Sequence, residues 1–255
     1  MPNILAGSVA LADAERIEQQ PRKRSDLAVR SASAAVMIAV AGAAFWLGGL
    51  VLTGFIVAVG LGILAEWTML VLAFEKGIVG RAIWLLAGVG YIGLACLSAV
   101  PQVMPPLVLL AAVGSVIAVD VGAYFAGRSL GGPKIAPTIS PSKTWSGLGG
   151  GMLAAMALYA AFSICLSHAF FKAGLRDSSG LDAHDWLGVV TGGLVTAIVA
   201  QTGDFFESWM KRRAGVKDSS HVIPGHGGLF DRADGLIAVL FVSGVLELAS
   251  AMVEL

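Results

Sequence analysis

The chain has 255 residues, 56% of them hydrophobic and 13% charged, with a mean hydropathy of +0.81 and a formal net charge of zero. A water-solvated domain carries about 25% charged residues, so the composition excludes an ordinary soluble globule and makes lipid the main solvent. Zero net charge gives no field for nucleic acid, and two cysteines in apolar runs, Cys96 and Cys165, exclude a disulfide framework.

A bilayer-crossing helix needs about 20 mainly apolar residues. The first 30 residues are mixed polar and carry no signal-peptide pattern. Leu5, Val9 and Ile17 there leave two alternatives, a short interfacial helix or a disordered tail. Seven apolar spans follow, at 31–47, 50–73, 82–100, 106–127, 147–170, 186–210 and 229–252. Only Gly48-Gly49 divides the first two, and the long sixth leaves a break within the membrane open, so the count ranges from six to nine. The expected fold is all-α, a polytopic integral membrane protein. It has a cytoplasmic N-terminal segment (1–30), N-terminal transmembrane helices (31–110) and a C-terminal transmembrane domain (111–255).

Orientation follows from the basic residues. Arg22, Lys23, Arg24 and Arg30 precede the first span, and Lys76 and Arg81 follow the second. Arg128, Lys134 and Lys143 follow the fourth; Lys211, Arg212, Arg213, Lys217 and Arg232 follow the sixth. Seven spans put all of these on one side and only Lys172 and Arg176 on the other, so the N-terminus and the loops 128–146 and 211–232 are expected to be cytoplasmic. The loop 98–106, with three prolines and no charge, faces away. Gly147 with Gly151, and Gly188 with Gly192, have the spacing that lets membrane helices approach closely.

Charges inside hydrocarbon cost about 2.5–3.5 kcal/mol each on insertion scales and mark function. Asp120, Tyr124 and Arg128 recur at every fourth residue and share a helix face, with the outer two too far apart for a simple pair. Gln201, Asp204, Glu207, Ser208 and Lys211 form a second polar stripe, whose two acids repel unless a cation compensates. Asp231 and Asp234 open the last span behind His226, Gly227 and Gly228, a Gly-rich turn suited to phosphate near a helix start. Between the fourth and fifth spans, Lys134, Ser140, Lys143 and Thr144 offer ammonium and hydroxyl groups to phosphate oxygens, although no Walker loop is present.

The run from Ser208 through Lys211, Arg212, Lys217, Asp218, Gly225, His226, Gly227, Gly228, Asp231 and Arg232 to Asp234 resembles the signature of the phosphatidate cytidylyltransferase, or CDP-diacylglycerol synthase, family. Gln201-Thr-Gly-Asp204-Phe-Phe-Glu207-Ser and the stretch from Asp120 to Gly147 are similar to that family as well. Two positions depart from it: Ser142 stands where the family commonly has Lys, and Ser146 where it has Glu.

The resemblance implies transfer of CMP from CTP to phosphatidic acid, giving CDP-diacylglycerol and pyrophosphate with Mg²⁺ required. It implies metal ligation by Asp204, Asp231 and Asp234, with Asp218 and Glu207 as weaker candidates, and a second ion such as K⁺. Asp204, Lys217, Asp218, Asp231, Arg232 and Asp234 would carry catalysis. Lys143, Lys211, Arg212, Lys217 and Arg232 would hold phosphates of CTP, pyrophosphate or the lipid, with Ser140, Thr144, His226, Gly227 and Gly228 beside them. Asp120, Tyr124 and Arg128 would complete the cavity from the fourth span, making 111–255 the catalytic domain. The partners implied are CTP, phosphatidic acid, the bilayer and a second copy in a homodimer, but no nucleic acid. The expected location is a bacterial inner membrane, with the site on its cytoplasmic face. The rival readings are a CTP-dependent polyprenol kinase, an isoprenoid-lipid cytidylyltransferase, a cation transporter using Asp120, Asp204 and Glu207, and a non-catalytic lipid-binding protein.

Overall fold

A computed structural model describes residues 24–253, so the reading of Leu5, Val9, Ile17, Arg22 and Lys23 lies outside the described residues. Among the described residues, seven helices are long and apolar enough to cross a membrane. They are α1 (Arg24–Leu47), α2 (Gly49–Phe74), α3 (Ile78–Ala99), α4 (Pro106–Leu130), α5 (Trp145–Lys172), α6 (Ala183–Ala214) and α7 (Phe230–Val253). The chain is an all-α polytopic membrane protein, with each span close to its expected place. The sixth span is one unbroken helix of 32 residues.

One element departs from the expected loop at 128–146. Strands β1 (Lys134–Ala136) and β2 (Ser140–Thr144) form an antiparallel hairpin, pairing Lys134 with Thr144 and Ala136 with Ser140. Its end passes directly into α5, where Thr144 is the N-cap and its Oγ1 accepts from Gly147 N at 3.1 Å. Such a cap stabilises a helix by about 1 kcal/mol. The hairpin is therefore tethered to a membrane helix.

Lipid tails are as apolar as leucine, so helix association here rests on close fit and dispersion rather than release of water. The α4–α5 crossing shows it. A Cβ on Gly122 would lie 2.5 Å from Gly150 O, and one on Gly151 would lie 3.0 Å from Val119 O. Of the expected glycine pairs, Gly147 and Gly151 do meet α4. Gly188 instead faces open space; the tight contact of α6 with α5 falls at Gly193, against the backbone of Met156. A period-four pattern identifies a small-residue face but not which turn meets the neighbour.

Trp67 on α2, only 1% exposed, anchors the other half of the bundle. Its ring packs on Trp84, Tyr91, Phe206 and Phe230, and its Nε1 donates to Trp84 O at 2.9 Å. This aromatic cluster joins α2, α3, α6 and α7. Helix α6 starts with a capping box between Asp182 and Asp185, which Arg176 also bonds, and ends at Gly215 in the left-handed region (φ +73°). Lys211, Arg212 and Arg213 in its last turn complement the helix dipole.

Candidate functional site

Four helices and the hairpin enclose a polar cavity of about 560 Å³. Helix α4 contributes Asp120, Tyr124 and Arg128; the hairpin contributes Lys134, Ser142, Lys143 and Thr144. Helix α6 adds Gln201 and Asp204, and α7 adds Asp231, Arg232 and Asp234. Four carboxylates thus face four basic side chains in one space. The polar stripes of the fourth, sixth and seventh spans are walls of a single site.

Close helix approach makes the juxtaposition possible. A Cβ on Gly203 would lie 2.6 Å from the backbone oxygen of Asp234, and Gly235 meets Ala200 O at 3.2 Å in the same way. Asp204, next to Gly203, therefore stands beside Asp234, and these two with Asp120 lie within one another's electrostatic reach. Lys143 reaches across from β2 to form an ion pair with Asp204. On α4, Arg128 Nη1 lies 3.4 Å from the Tyr124 hydroxyl, along the face expected from their spacing.

Asp231 has a different setting. Its Oδ1 accepts from Lys211 Nζ at 2.6 Å. Its Oδ2 accepts from Gly228 N and Ser219 N at 2.8 Å and from Ser219 Oγ at 2.9 Å. The same ammonium lies 2.5 Å from Glu207 Oε2, and the Glu207 side chain is fully buried. Lys211 is therefore held between two acids rather than directed into the open cavity.

Glu66 is the residue that the sequence reading passed over. It sits on α2 and is 2% exposed. Its Oε1 accepts from Ser220 Oγ at 2.6 Å and Leu229 N at 2.9 Å; its Oε2 accepts from Phe230 N at 2.7 Å and shares the Ser219 hydroxyl, 2.8 Å away, with Asp231 Oδ2. A carboxylate carried by a neighbouring helix thus caps the start of α7, satisfying amides that would otherwise be orphaned and meeting the positive end of the helix dipole. Its signal was available: a lone acid inside an apolar span, the same criterion that singled out Asp120. With Glu66 and Asp231 in place, the amides of Gly228, Leu229 and Phe230 all donate to protein carboxylates. The Gly-rich turn is built inward, around two acids.

The preceding loop forms a second polar cavity of about 340 Å³, lined by Lys217, Asp218, His226, Gly227 and Arg232. Gly227 is required there: its φ is +84°, and a Cβ would lie 2.8 Å from Asp231 Oδ2. His226 Nδ1 is bonded to Ser33 Oγ at 2.8 Å, and Arg232 Nε donates to His226 O at 3.0 Å. Arg212 and Ser140 line neither cavity: Arg212 lies 3.5 Å from Val216 O beyond the end of α6, and Ser140 pairs with Ala136 at the hairpin turn. The departures fall differently. Ser142 is in the main cavity wall, whereas Ser146 bonds Gly131 O and Thr144 Oγ1 at the hairpin base.

Among the described residues, no three acidic, histidine or cysteine side chains already converge on a point where a metal ion would sit. The donor chemistry nonetheless suits a hard divalent cation: Asp120, Asp204 and Asp234 present carboxylate oxygens to one cavity, and Gln201 adds an amide oxygen.

Comparison with known proteins bears on this arrangement. The model of the cytidylyltransferase family matches residues 79–248, which include every wall of both cavities contributed by α4 to α7. A phosphatidate cytidylyltransferase of Brucella suis is 36% identical over 251 aligned residues, covering 79% of this chain and 87% of that protein. Those of Haemophilus influenzae and Rickettsia felis are 39% and 38% identical over 48% and 50% of the chain. With a family match over residues 79–248 and a relative that covers 79% of it at 36% identity, the chain belongs to the cytidylyltransferase family.

Proposed function

We propose that this protein transfers CMP from CTP to phosphatidic acid, releasing pyrophosphate and forming CDP-diacylglycerol. The observation that carries this reading is the main cavity, where Asp120, Asp204 and Asp234 share one space with Arg128, Lys143 and Arg232. Both substrates are anions at the reacting phosphates, so they meet only where cations offset their repulsion.

In the reaction a phosphate oxygen of the lipid attacks the α-phosphorus of CTP. A P–O bond forms, the bond to the β-phosphate breaks, and pyrophosphate leaves with the electron pair. The attacking oxygen is already ionised near neutral pH, so no protein nucleophile or strong base is required. Mg²⁺, held by Asp204 and Asp234 with Asp120 nearby, would supply charge neutralisation and in-line alignment. A K⁺ ion is the second cation that the resemblance implies. Lys143, which pairs with Asp204, and Arg232 line the same cavity and would meet phosphate oxygens there, with Arg128 on the α4 wall. Asp231 acts through Lys211, Ser219 and Gly228, fixing the turn that aims Arg232 and Asp234. Glu207 has the same supporting role through Lys211.

The membrane setting suits one lipid and one soluble substrate. An apolar cavity of about 420 Å³, walled by Trp67, Trp84, Tyr91 and Phe206, reaches Gly203, the neighbour of Asp204. It offers a path for an acyl chain beside the polar site. The basic residues at the polar end support a cytoplasmic placement by the positive-inside rule, and the bacterial relatives suit an inner membrane.

Purified protein in detergent, given phosphatidic acid, labelled CTP and Mg²⁺, is expected to yield a CDP-lipid, and chelator to abolish the product. Asp234→Asn and Asp204→Asn should each lower turnover by about a hundred-fold or more. Transfer of a phosphoryl group without CMP would indicate the lipid-kinase alternative, and no nucleotide-lipid product at all would overturn the assignment.

A further inference from the structure

The second cavity differs in charge from the main one. Arg30, Lys217 and Arg232 line it with only one carboxylate, that of Asp218, and His221 and His226 add two imidazoles. None of the three cations forms an ion pair among the described residues. The loop backbone instead anchors two of them by one nitrogen each: Arg30 Nε donates to Gly225 O at 2.9 Å, and Arg232 Nε to His226 O at 3.0 Å. A guanidinium held by its Nε still has its two terminal nitrogens for a further acceptor. Arg30 comes from α1, outside the 79–248 match to the family. Its seat is built rather than incidental, because Ser33 on the same helix bonds Pro224 O at 3.0 Å and His226 Nδ1 at 2.8 Å. Arg232 lines both cavities, so the two chambers share a wall.

Beyond the phosphate contacts that the family signature implies for Lys217 and Arg232, we infer that Arg30 from the first helix is a further binding residue, completing in this chamber a subsite for a phosphate of one substrate beside the carboxylate-lined cavity. The inference rests on the CMP-transfer reading and divides its site in two: a carboxylate chamber for cations and a cation chamber for an anion. Arginine suits the second because its planar donors match phosphate oxygens, and such charge-assisted bonds are about twice as strong as neutral ones. The occupying phosphate belongs either to the lipid headgroup or to the nucleotide; the chemistry recognised is the same.

The test is a steady-state comparison of full-length wild type and Arg30→Gln in detergent micelles, varying CTP and phosphatidic acid in turn. Loss of Arg30 is expected to raise KM for one substrate by about ten-fold while kcat changes little. A rise confined to CTP assigns the chamber to a nucleotide phosphate; a rise confined to phosphatidic acid assigns it to the headgroup. Both KM values unchanged in a folded variant, whether or not kcat falls, would overturn the subsite. Should Arg30→Gln fail to fold, Arg30→Lys, which keeps the charge but loses the planar pair of donors, reads the same chamber with the same two outcomes. Wild-type protein that makes no CDP-lipid would defeat the parent assignment instead, so the two failures are distinguishable.

Discussion

Glu66 shows how much one side chain fixes at this site. It is buried in a membrane helix, yet all of its hydrogen-bonding partners lie in residues 219–230. Removing it leaves two amides and the Ser220 hydroxyl without their acceptor, while Ser219 Oγ keeps Asp231 Oδ2, and each orphaned buried group costs about 1–3 kcal/mol. Glu66→Ala is therefore expected to lower unfolding stability in detergent by about 3 kcal/mol or more. Glu66→Gln should lose less but still place an amide –NH₂ against donors. Denaturant or thermal unfolding of the two variants checks the order; equal stability to wild type would mean that the start of α7 is held by something else. Gly227→Ala tests the same turn from the other side. It forces a side chain into φ +84° and against Asp231 Oδ2. Left-handed backbone alone costs about 1–2 kcal/mol, and CMP transfer should fall with it because Asp231 is displaced.

At the scale of elements, the site depends on helices that touch through glycine. Gly203 lets α6 approach α7 until the backbone of Asp234 is in contact, and this brings Asp204 alongside Asp234. Gly203→Val is expected to push the two carboxylates apart. Activity should drop at least ten-fold, with a marked rise in the Mg²⁺ concentration needed for half-maximal rate, while the variant still elutes as a folded species. A Gly203→Val protein with wild-type metal dependence would show that the α6–α7 spacing does not set the cation chamber. The hairpin works similarly. It is short, but its junction with the capped start of α5 holds Lys143 where it can pair with Asp204. Ser-Pro-Ser-Lys-Thr has no alternating apolar pattern and a proline argues against a paired strand, so the sequence alone signals a loop here. The strands form because both ends are fixed to membrane helices.

Across the whole molecule, the start of α1, the C-terminal part of α2, the hairpin and the loop before α7 meet at one end. Arg30 bonds Gly225, Glu66 bonds Ser219, and Lys143 pairs with Asp204. Nearly all basic residues lie at that end, so it is expected to be cytoplasmic. Cysteines placed at exposed Ser142 and Val222, in a background with Cys96 and Cys165 replaced by Ser, should react with a membrane-impermeant maleimide in inverted vesicles. A cysteine at exposed Leu175, in the opposite loop, should react in intact spheroplasts instead. The reverse pattern would invert the topology and put the nucleotide on the wrong side.

The sequence by itself determined the spans, because a membrane helix is specified by length and hydropathy without reference to its neighbours. It also determined most of the polar residues of the site, because a charge in an apolar run is visible wherever it stands, and the run from Ser208 to Asp234 carries the family resemblance. Only the tertiary structure decided which of them work together. Asp204 meets a lysine from a hairpin 61 positions earlier, Asp231 is saturated by its own turn, and Glu66 and Arg30 join from helices with no part in the signature. Hydropathy is a property of each segment alone, whereas the pairing of charges depends on how closely helices pack, and that distance is set by the absence of side chains on a few glycines.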